Sequence, residues 1–302
     1  MTQPPSENQS APPQVFDRAA VRAHRDRAAR GFGNHAFLVD EIAARLADRL
    51  HDINRSFAHV FDLGCHTGQL ARAIGDRPEA ELWVQSDLSE RMVARASGLR
   101  VAADEEALPF GDGVFDLVIS ALSLHWVNDL PGTLAQINRC LKPDGLFLAA
   151  VLGGSTLHEL RVAFMDGELE TEGSAGPRVS PFAEVRDAGG LLQRAGFALP
   201  VADTEPVSVT YPDLFALMTE LRGMGEANAV AARRRTATRR ATLTAAAAAY
   251  QDRFGDAEGR LPATFDVLYL TGWRPHPSQT QPLKPGSGGT RLEDAIKKGR
   301  PG

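Results

Sequence analysis

The segment DLGCHTG, Asp62–Gly68, places two glycines directly after the short apolar run Val60–Leu63. Glycines let the backbone turn tightly and let a ligand approach the main chain. A helix that begins near Thr67 would add unpaired N–H groups and the positive end of its dipole. Asp87 lies 23 residues after Gly64, after the next apolar run, where a carboxylate can accept hydrogen bonds from ribose hydroxyls. Together these residues predict an α/β protein that binds a nucleoside-containing cofactor. A tight turn beside a solvated Asp87 is the alternative interpretation.

The charge balance and the cysteines exclude several classes of protein. The chain of 302 residues has 33 Lys and Arg against 38 Asp and Glu, a formal net charge of -5, whereas a general nucleic-acid binder carries a basic excess. Two cysteines, Cys65 and Cys140, are too few for a disulfide framework or a four-thiolate zinc site. Reduced cysteines indicate a reducing compartment. No apolar run approaches the length of about 18 residues that a membrane helix needs.

Short apolar runs alternate with helical patterns over the first half of the chain, which is typical of βαβ units and a parallel sheet. The second half has only two runs with strand character. We expect strands at Val60–Leu63, Leu82–Val84, Leu99–Ala102, Phe115–Ser120, Leu146–Leu152, Val207–Thr210 and Thr264–Trp273. We expect helices at Ala36–Leu50, Thr67–Ile74, Pro131–Leu141, Thr156–Glu170 and Phe182–Ala195, with a further helix after Ser89.

The polar, proline-rich composition of both ends predicts disorder for residues 1–14 and 276–302. The residues between them, 15–275, are expected to form one domain with its core at 57–152. Residues 211–260 carry helix signals only. A helical insertion at this position is expected to act as a lid or a substrate-binding element.

The spacing of the glycines narrows the identity of the cofactor. A dinucleotide-binding turn has the pattern G-x-G-x-x-G, and a P-loop has a Lys after its glycines. Here Cys65, His66 and Thr67 separate the two glycines, and no such Lys follows. A cofactor with a ribose but no phosphate fits better, and S-adenosylmethionine is of that kind.

Five motifs in order carry a family resemblance. They are DLGCHTGQLA, VQSDLSERM, ADEEALPF, FDLVISALSLHWV and LKPDGLF, within Phe57–Val151. This series resembles that of class I S-adenosylmethionine-dependent methyltransferases. The resemblance implies a Rossmann-like fold, with a seven-stranded, mostly parallel sheet that has one antiparallel strand and flanking helices. His66 stands where these enzymes usually have a third glycine, so its side chain would either crowd the cofactor or point outward.

The same resemblance implies a set of cofactor contacts, carried over by position in the motifs. Each contact is an expectation about one residue of this chain. The expected residues are Asp62, Gly64 and Gly68 at the methionine end, Asp87 at the ribose, Leu88, Asp104 and Glu105 at the adenine, and Ser120–Leu122 beneath the cofactor.

Further segments resemble one group within this superfamily. VFDRAAVRAHRDRAA, GGSTLHELR, LRGMGEANA and PATFDVLYLTGW, among others between Val15 and Trp273, are similar to the methyltransferase-like arginine-hydroxylase assembly factor of mitochondrial respiratory complex I and its bacterial relatives. The resemblance implies a protein substrate, the complex I iron–sulfur subunit that lines the quinone site, and a role in assembly. The N-terminus has no mitochondrial presequence pattern, so we expect a bacterial, cytoplasmic protein.

Four activities are compatible with these residues. Methyl transfer from S-adenosylmethionine is the default chemistry. Arginine hydroxylation of the iron–sulfur subunit is the second, and a non-catalytic assembly module is the third. Methylation of a malonyl carrier protein ranks last, because those enzymes share the first five motifs but are not expected to carry GGSTLHELR or LRGMGEAN.

Substrate-side residues are expected after the fourth strand and in the second half of the chain. His125 and Trp126 follow a strand end, where ligands bind in such sheets, so His125 could position or deprotonate a substrate and Trp126 could wall a pocket. A packed Trp126 beside a satisfied His125 is an equal alternative. Glu159 could pair with a substrate guanidinium or with Arg161 on its own helix. Glu226 is a second possible partner for a guanidinium.

No metal site is predicted. A non-heme iron site needs two His and a carboxylate. His24–Asp26 has part of that spacing, but nothing brings another His nearby, and a solvated helix face is the better interpretation. The basic segment Arg233–Arg240 is also interpreted first as a solvated helix face, and no nucleic-acid partner is expected.

Overall fold

The computed structural model describes residues 14–75 and 80–280. Most of the two ends that were predicted to be disordered, 1–13 and 281–302, lies outside these residues. Residues 276–280 form a turn, and the side-chain amide of Gln279 donates to a carboxylate oxygen of Asp144 at 2.7 Å. None of the described helices is long and apolar enough to cross a lipid bilayer.

The described residues form one seven-stranded sheet. Its strands are β1 (His59–Leu63), β2 (Leu82–Asp87), β3 (Leu99–Ala102), β4 (Phe115–Ala121), β5 (Leu141–Leu152), β6 (Ala198–Tyr211) and β7 (Leu261–Trp273). The spatial order is β3-β2-β1-β4-β5-β7-β6. The pairs among β1 to β5 are parallel, and β7 is antiparallel to both of its neighbours. The predicted Rossmann-like fold with one antiparallel strand is confirmed.

Helices cover both faces of the sheet. They are α1 (Arg18–Ala28), α2 (Phe37–His51), α3 (Gln69–Ile74), α4 (Glu90–Val93), α5 (Leu130–Cys140), α6 (His158–Glu172), α7 (Val185–Arg194), α8 (Leu214–Gly223) and α9 (Arg240–Phe254). Val60 packs into the apolar cluster under α2, α3, α6, α8 and α9. Phe61, its neighbour in β1, packs into the opposite cluster under α5 and α7, because successive side chains of a strand point to opposite faces.

The apolar stripe predicted for the helix α2 is the face that the sheet buries. Leu38, Ile42, Leu46 and Leu50 recur at every fourth position, and each is no more than 2% exposed. Burial of a leucine-sized side chain stabilises a fold by about 1.5–3 kcal/mol. The periodicity therefore predicted both the helix and its orientation.

Strand β6 is much longer than the predicted Val207–Thr210, since it extends over Ala198–Tyr211. It lies at the edge of the sheet, and among the described strands it pairs with β7 alone. Most of its side chains are exposed or half-buried, so its sequence carries little apolar signal. An edge strand also tolerates Pro200 and Pro206, which the central strands of a sheet exclude.

The helices α8 and α9 lie in the segment 211–260, where the helical insertion was predicted. Helix α9 contains the run Ala245–Ala249, and it packs across α6 with Gly167 against Ala246. The small residues allow the two helix backbones to approach closely. A lid function for this insertion stays a prediction.

Candidate active site

The turn after β1 forms the base of the site. Gly64 and Gly68 have φ values of 70° and 88°, in the left-handed region that residues with a side chain rarely adopt. A side chain at Gly64 would overlap Ser123, which follows β4. The backbone N–H of Cys65 donates to the carbonyl of Ser86 in β2 at 2.7 Å. The two glycines therefore let the turn pack directly against the ends of both neighbouring strands.

Asp62 is a fully buried residue of β1, and neither oxygen of its carboxylate has a hydrogen-bond partner among the described residues. Burial raises the pKa of Asp62 well above its ordinary value, and the charge of Asp87 adds to the effect. A buried acceptor without a hydrogen-bond donor lowers the stability of a fold by about 1–3 kcal/mol. Asp62 is therefore a position where the amino group of a ligand would be bound favourably.

Asp87 lies at the end of β2 and is fully buried. Its Oδ1 accepts from the backbone N–H of Ser89 at 2.8 Å, and its Oδ2 accepts from that of His66 at 3.1 Å. The second oxygen also accepts from Nη1 of Arg25, at 3.3 Å. The acid predicted to bind a ribose thus already has a cationic partner from α1.

Arg25 is only 1% exposed. Besides Asp87, its guanidinium donates to Oε1 of Glu105 at 3.1 Å and to Oγ of Ser123 at 2.9 Å. The interpretation of His24–Asp26 as a solvated helix face is therefore wrong for Arg25. The physical reason is that two buried carboxylates need a counter-charge, and a residue of α1 supplies it.

Asp104 and Glu105, predicted to contact the adenine, face Arg18 of the same helix. Arg18 donates to Oδ1 of Asp104 at 2.5 Å and also to Glu105. Burial favours the neutral form of Glu105, but the charges of Arg25 and Arg18 outweigh it and lower its pKa to about 2. Glu105 is therefore charged at neutral pH and is paired with two guanidinium groups. Asp87, Asp104 and Glu105, which share these two arginines, form the acidic cleft.

His66 occupies the position of the missing glycine with its side chain turned inward. It is 2% exposed with φ of 52°. Its ring stacks on Phe32 at a centroid distance of 5.4 Å, and Nε2 lies 3.0 Å from the carbonyl oxygen of Ala121. The alternative in which this side chain points outward is wrong, because the ring packs between the β1 turn and the segment before α2.

Because His66 is buried, we expect the stability of the fold to decrease at acidic pH. Burial, together with the charge of Arg25, lowers the pKa of His66 below its ordinary value. The unfolded chain binds a proton at a pH of about 6.5, so unfolding takes up a proton as the pH falls below that value. The stabilisation is complete above the unfolded pKa and is lost as the pH falls towards the folded pKa. We expect the free energy of unfolding to fall between pH 7 and pH 5 because of this group.

Denaturant unfolding at the two pH values checks this expectation. His66→Gln keeps an amide that can donate to Ala121 and should lose less stability at pH 5 than the wild-type protein. Burial also lowers the pKa of His24, and that contribution is common to both proteins. An equal drop in both proteins would contradict the assignment to His66.

Two more residues of the predicted cofactor set lie in the packed interior. Leu88 is buried against Val21 and Trp126. Ser120 donates through its hydroxyl group to the carbonyl of Leu63 at 2.7 Å. Both lie next to the acidic cleft, and their roles toward a cofactor stay predictions.

Glu226 brings the two predicted residues after β4 into one cluster. Its Oε2 accepts from Nε2 of His125 at 3.0 Å and from the indole Nε1 of Trp126 at 2.9 Å. Burial favours the neutral acid, but the charges of His125 and Arg25 outweigh it, and the pKa of Glu226 lies below its ordinary value. The cluster therefore holds a carboxylate in a fixed orientation.

An apolar cavity of about 190 Å³ opens beside this cluster. Oε1 of Glu226 has no hydrogen-bond partner among the described residues, and the cavity is lined in part by Glu226. A volume below the roughly 300–1,000 Å³ of drug-sized pockets suits one extended side chain. The apolar part of the wall includes Leu38, Leu122, Leu160, Phe164, Met218 and Leu221.

Glu159 and Arg161 do not line this cavity. Glu159 is buried, and its carboxylate accepts from the hydroxyl and the backbone N–H of Thr264 in β7, at 2.5 and 3.2 Å. Arg161 is exposed and donates to the carbonyl of Ser180 at 3.3 Å. The structure therefore does not bring these two residues to the His125–Glu226 cluster.

Other charged segments are engaged in structural contacts. Arg233 pairs with Asp17 at 3.0 Å, and Arg234 pairs with Glu172. These ion pairs neutralise part of the positive charge of the segment Arg233–Arg240. The interpretation of this segment as a solvated helix face is wrong, because the chain is irregular until α9 begins at Arg240. Within residues 14–75 and 80–280, no three His, Cys, Asp or Glu side chains are grouped closely enough to hold a metal ion.

The chemistry of the cleft fits a nucleoside cofactor that has an amino-acid end. Asp62 offers an unpartnered carboxylate, the glycine turn allows close approach to the main chain, and Asp87 presents an acid at a strand end. The residues that sequence reasoning missed are Arg18 and Arg25. Their only signal is the basic helical segment, which is typical of an exposed helix.

Comparisons with known proteins match this architecture. The family described as a methyltransferase domain matches residues 61–149. These residues include the glycine turn, Asp62 and Asp87. Among solved structures, the YcgJ protein of Bacillus subtilis has a TM-score of 0.53 at 16% identity, over 77% of this chain and 99% of its own. This similarity supports the fold.

Two relatives cover most of the chain. The mitochondrial arginine-hydroxylase NDUFAF5 of Danio rerio is 41% identical over 292 residues, which are 95% of this chain and 91% of that protein. The malonyl-[acyl-carrier protein] O-methyltransferase of Laribacter hongkongensis is 39% identical over 277 residues, with 86% of this chain and 90% of that protein covered. The similarity to this second group therefore extends well beyond the five shared motifs.

Proposed function

We propose a function from one premise: this chain belongs to the protein family that includes the arginine-hydroxylase NDUFAF5 and the malonyl-[acyl-carrier protein] O-methyltransferases. We infer that it is an enzyme that binds S-adenosylmethionine in the cleft between Asp62 and Asp87. Its substrate is a guanidinium group of a protein, which enters the adjoining cavity. Methyl transfer is the default chemistry.

The carboxylate of Glu226 in the wall of an apolar cavity is the observation that carries this proposal. A carboxylate with one oxygen held by two donors presents the other oxygen to a ligand, and guanidinium groups pair well with carboxylates. Glu226 is the acidic residue in the cavity wall, and of the two arginines there Arg178 pairs with Glu168 and Arg222 is exposed. A cationic side chain therefore fits the cavity better than an anion.

In this proposal each group has a defined task. Asp62, the turn Gly64–Gly68 and Asp87 would hold the cofactor, which supplies an electrophilic methyl group when it is bound. Glu226 binds and orients the guanidinium group of the substrate, and His125 and Trp126 fix that carboxylate by their hydrogen bonds. The apolar walls exclude water. Orientation and exclusion of water are the main contributions that methyl transfer needs from a protein.

Arginine hydroxylation is the second candidate, and the name of the NDUFAF5 relatives favours it. It would use the same guanidinium pocket. A malonyl carboxylate would face the like charge of Glu226, and the juxtaposition of like charges opposes binding. A non-catalytic assembly module would bind the same side chain without turnover.

The complex I iron–sulfur subunit is the protein substrate that we propose, on the basis of the resemblance of GGSTLHELR and LRGMGEANA to the assembly factor. The bacterial cytoplasm is the compartment that we propose. It is consistent with two free and buried cysteines, since reduced thiols are typical of that compartment.

Titration calorimetry with S-adenosylmethionine tests the cofactor site. We expect binding in the micromolar range and an affinity about ten-fold lower or worse for Asp87→Ala, because a hydrogen bond to a charged acceptor is lost. Asp203→Ala removes a carboxylate of β6 that pairs with Arg49 of α2 at 2.8 Å, and this variant should bind the cofactor like the wild type. A wild-type protein that binds no cofactor would sink the cofactor assignment.

Mass spectrometry separates the chemistries. The iron–sulfur subunit, co-expressed with the wild-type protein, should gain the mass of a methylene group on an arginine. The mass of one oxygen atom there would replace methyl transfer with hydroxylation. An unmodified subunit that co-purifies with the protein would support the assembly module instead.

A further inference from the structure

The acidic cleft already contains a cation that the chain itself supplies. Arg25 is 1% exposed, and its partners Asp87 and Glu105 are 0% and 1% exposed. Arg25 is thus a guanidinium group buried between two carboxylates. The removal of one partner from a buried ion pair is destabilising, because it leaves an uncompensated buried charge. The helix α1 therefore closes the cleft from the side of the N-terminus.

Both oxygens of Asp87 are in use in this arrangement. Two of the three donors are backbone N–H groups, from Ser89 and His66, and these belong to the fixed frame of the turn. The third donor is the Arg25 side chain. Each carboxylate oxygen accepts about two hydrogen bonds, and Oδ2 already accepts two, from His66 and Arg25. A ribose whose two hydroxyl groups bond to both oxygens of Asp87 therefore has to replace Arg25 at Oδ2.

Both arginines of α1 have incomplete sets of hydrogen bonds. Arg18, seven residues before Arg25, lies on the same face of the helix and pairs with Asp104 at 2.5 Å. The buried Nε atoms of Arg18 and Arg25 have no hydrogen-bond partner among the described residues. An incomplete set of hydrogen bonds lowers the cost of withdrawing the Arg25 side chain.

We propose that α1 is an internal competitor of the nucleoside cofactor, with Arg25 and the ribose exchanging places on Asp87. This inference rests on the proposed cofactor site. It assigns to Arg25 the control of cofactor affinity, because the cofactor binds only the fraction of molecules in which Arg25 has left Asp87. Cofactor binding and insertion of Arg25 are then mutually exclusive.

Affinity measurements with S-adenosylhomocysteine test the competition. This probe has the ribose but no sulfonium charge, so the loss of a cation from the protein does not itself favour it. Arg25→Gln should bind it about ten-fold or more tightly than the wild type. Arg27→Gln makes the same charge change on an exposed position of α1 and should leave the affinity unchanged. Equal or weaker binding by a folded Arg25→Gln protein would overturn the proposal.

Hydrogen exchange of the wild-type protein gives a test that needs no variant. Saturation with S-adenosylhomocysteine should speed exchange in residues 18–28, because the helix loses its anchor at Asp87. Slower exchange there would mean that α1 closes over the cofactor and would overturn the competition even if Arg25→Gln did not fold. Absence of binding to the wild type and to both variants would instead remove the proposed cofactor site, together with this inference.

Discussion

Glu226→Gln is expected to lower the rate of guanidinium modification by roughly 30- to 4,000-fold, while the affinity for S-adenosylmethionine stays unchanged. The amide keeps the size of the carboxylate but loses its charge. The loss of one partner from a buried, hydrogen-bonded charge pair costs about 2–5 kcal/mol, and each 1.4 kcal/mol is about a factor of ten. The rate at low substrate concentration, followed by mass spectrometry of the iron–sulfur subunit, measures the effect.

Glu220→Gln provides the matched control. Glu220 also pairs with a histidine, His35, at 2.8 Å, and it lies in α8 only a few residues before Glu226. It does not line the cavity, so its removal should leave the rate within about two-fold of the wild type. A similar loss in both variants would show a general disturbance of this region and would contradict the role assigned to Glu226.

The Glu226 variant also separates the two groups of relatives. If the natural substrate carries a malonyl carboxylate, removal of the like charge should speed the reaction with malonyl carrier protein. A gain of this kind, with no modification of arginine, would transfer the assignment to O-methyl transfer. The charge of one buried side chain thus distinguishes activities that the overall identities of 41% and 39% do not separate.

The parallel half of the sheet was predictable because its strands are buried on both faces. The run FDLVIS coincides with β4, whose residues are almost all buried, and such strands have continuous apolar sequences. The edge strand β6 has no such signal. Strand β5 begins at Leu141 rather than at the predicted Leu146, because its first residues, Lys142–Gly145, have the composition of a turn. The register of β5 against β4 also shifts in this region, between Phe115 and Leu117.

Within the site, too, predictability depends on whether the partners of a residue are near to it or far from it in the sequence. Gly64, Gly68 and Asp87 were predictable because each meets a requirement set by its neighbours in the chain. The burial of Arg25 depends on Asp87 and Glu105, which are 62 and 80 residues away. The hydrogen bonds of Glu226 likewise reach 101 and 100 residues back to His125 and Trp126. A single sequence does not encode such partners in any local pattern.

The crossing of α6 and α9 should be highly sensitive to a single added methyl group. At Gly167 an added Cβ would lie 2.6 Å from the backbone nitrogen of Ala246 and 2.9 Å from its Cα. One turn further along, the hydroxyl groups of Thr171 and Thr242 are 2.9 Å apart, so the helices are held together and do not separate freely. Overpacking typically costs about 1–3 kcal/mol, and contact with backbone atoms places this site at the upper end.

Gly167→Ala should therefore lower the free energy of unfolding by about 2 kcal/mol, since an overpacking cost of about 3 kcal/mol exceeds the advantage of about 1 kcal/mol that alanine has over glycine in a helix. Gly189→Ala in α7 isolates that second effect. An added Cβ at Gly189 has no heavy atom within 4 Å, so this variant should gain about 0.5–1 kcal/mol. Denaturant unfolding of the three proteins gives both differences. If Gly167→Ala were as stable as Gly189→Ala, the helices would not be in backbone contact, and the run Ala245–Ala249 would need another explanation than close packing.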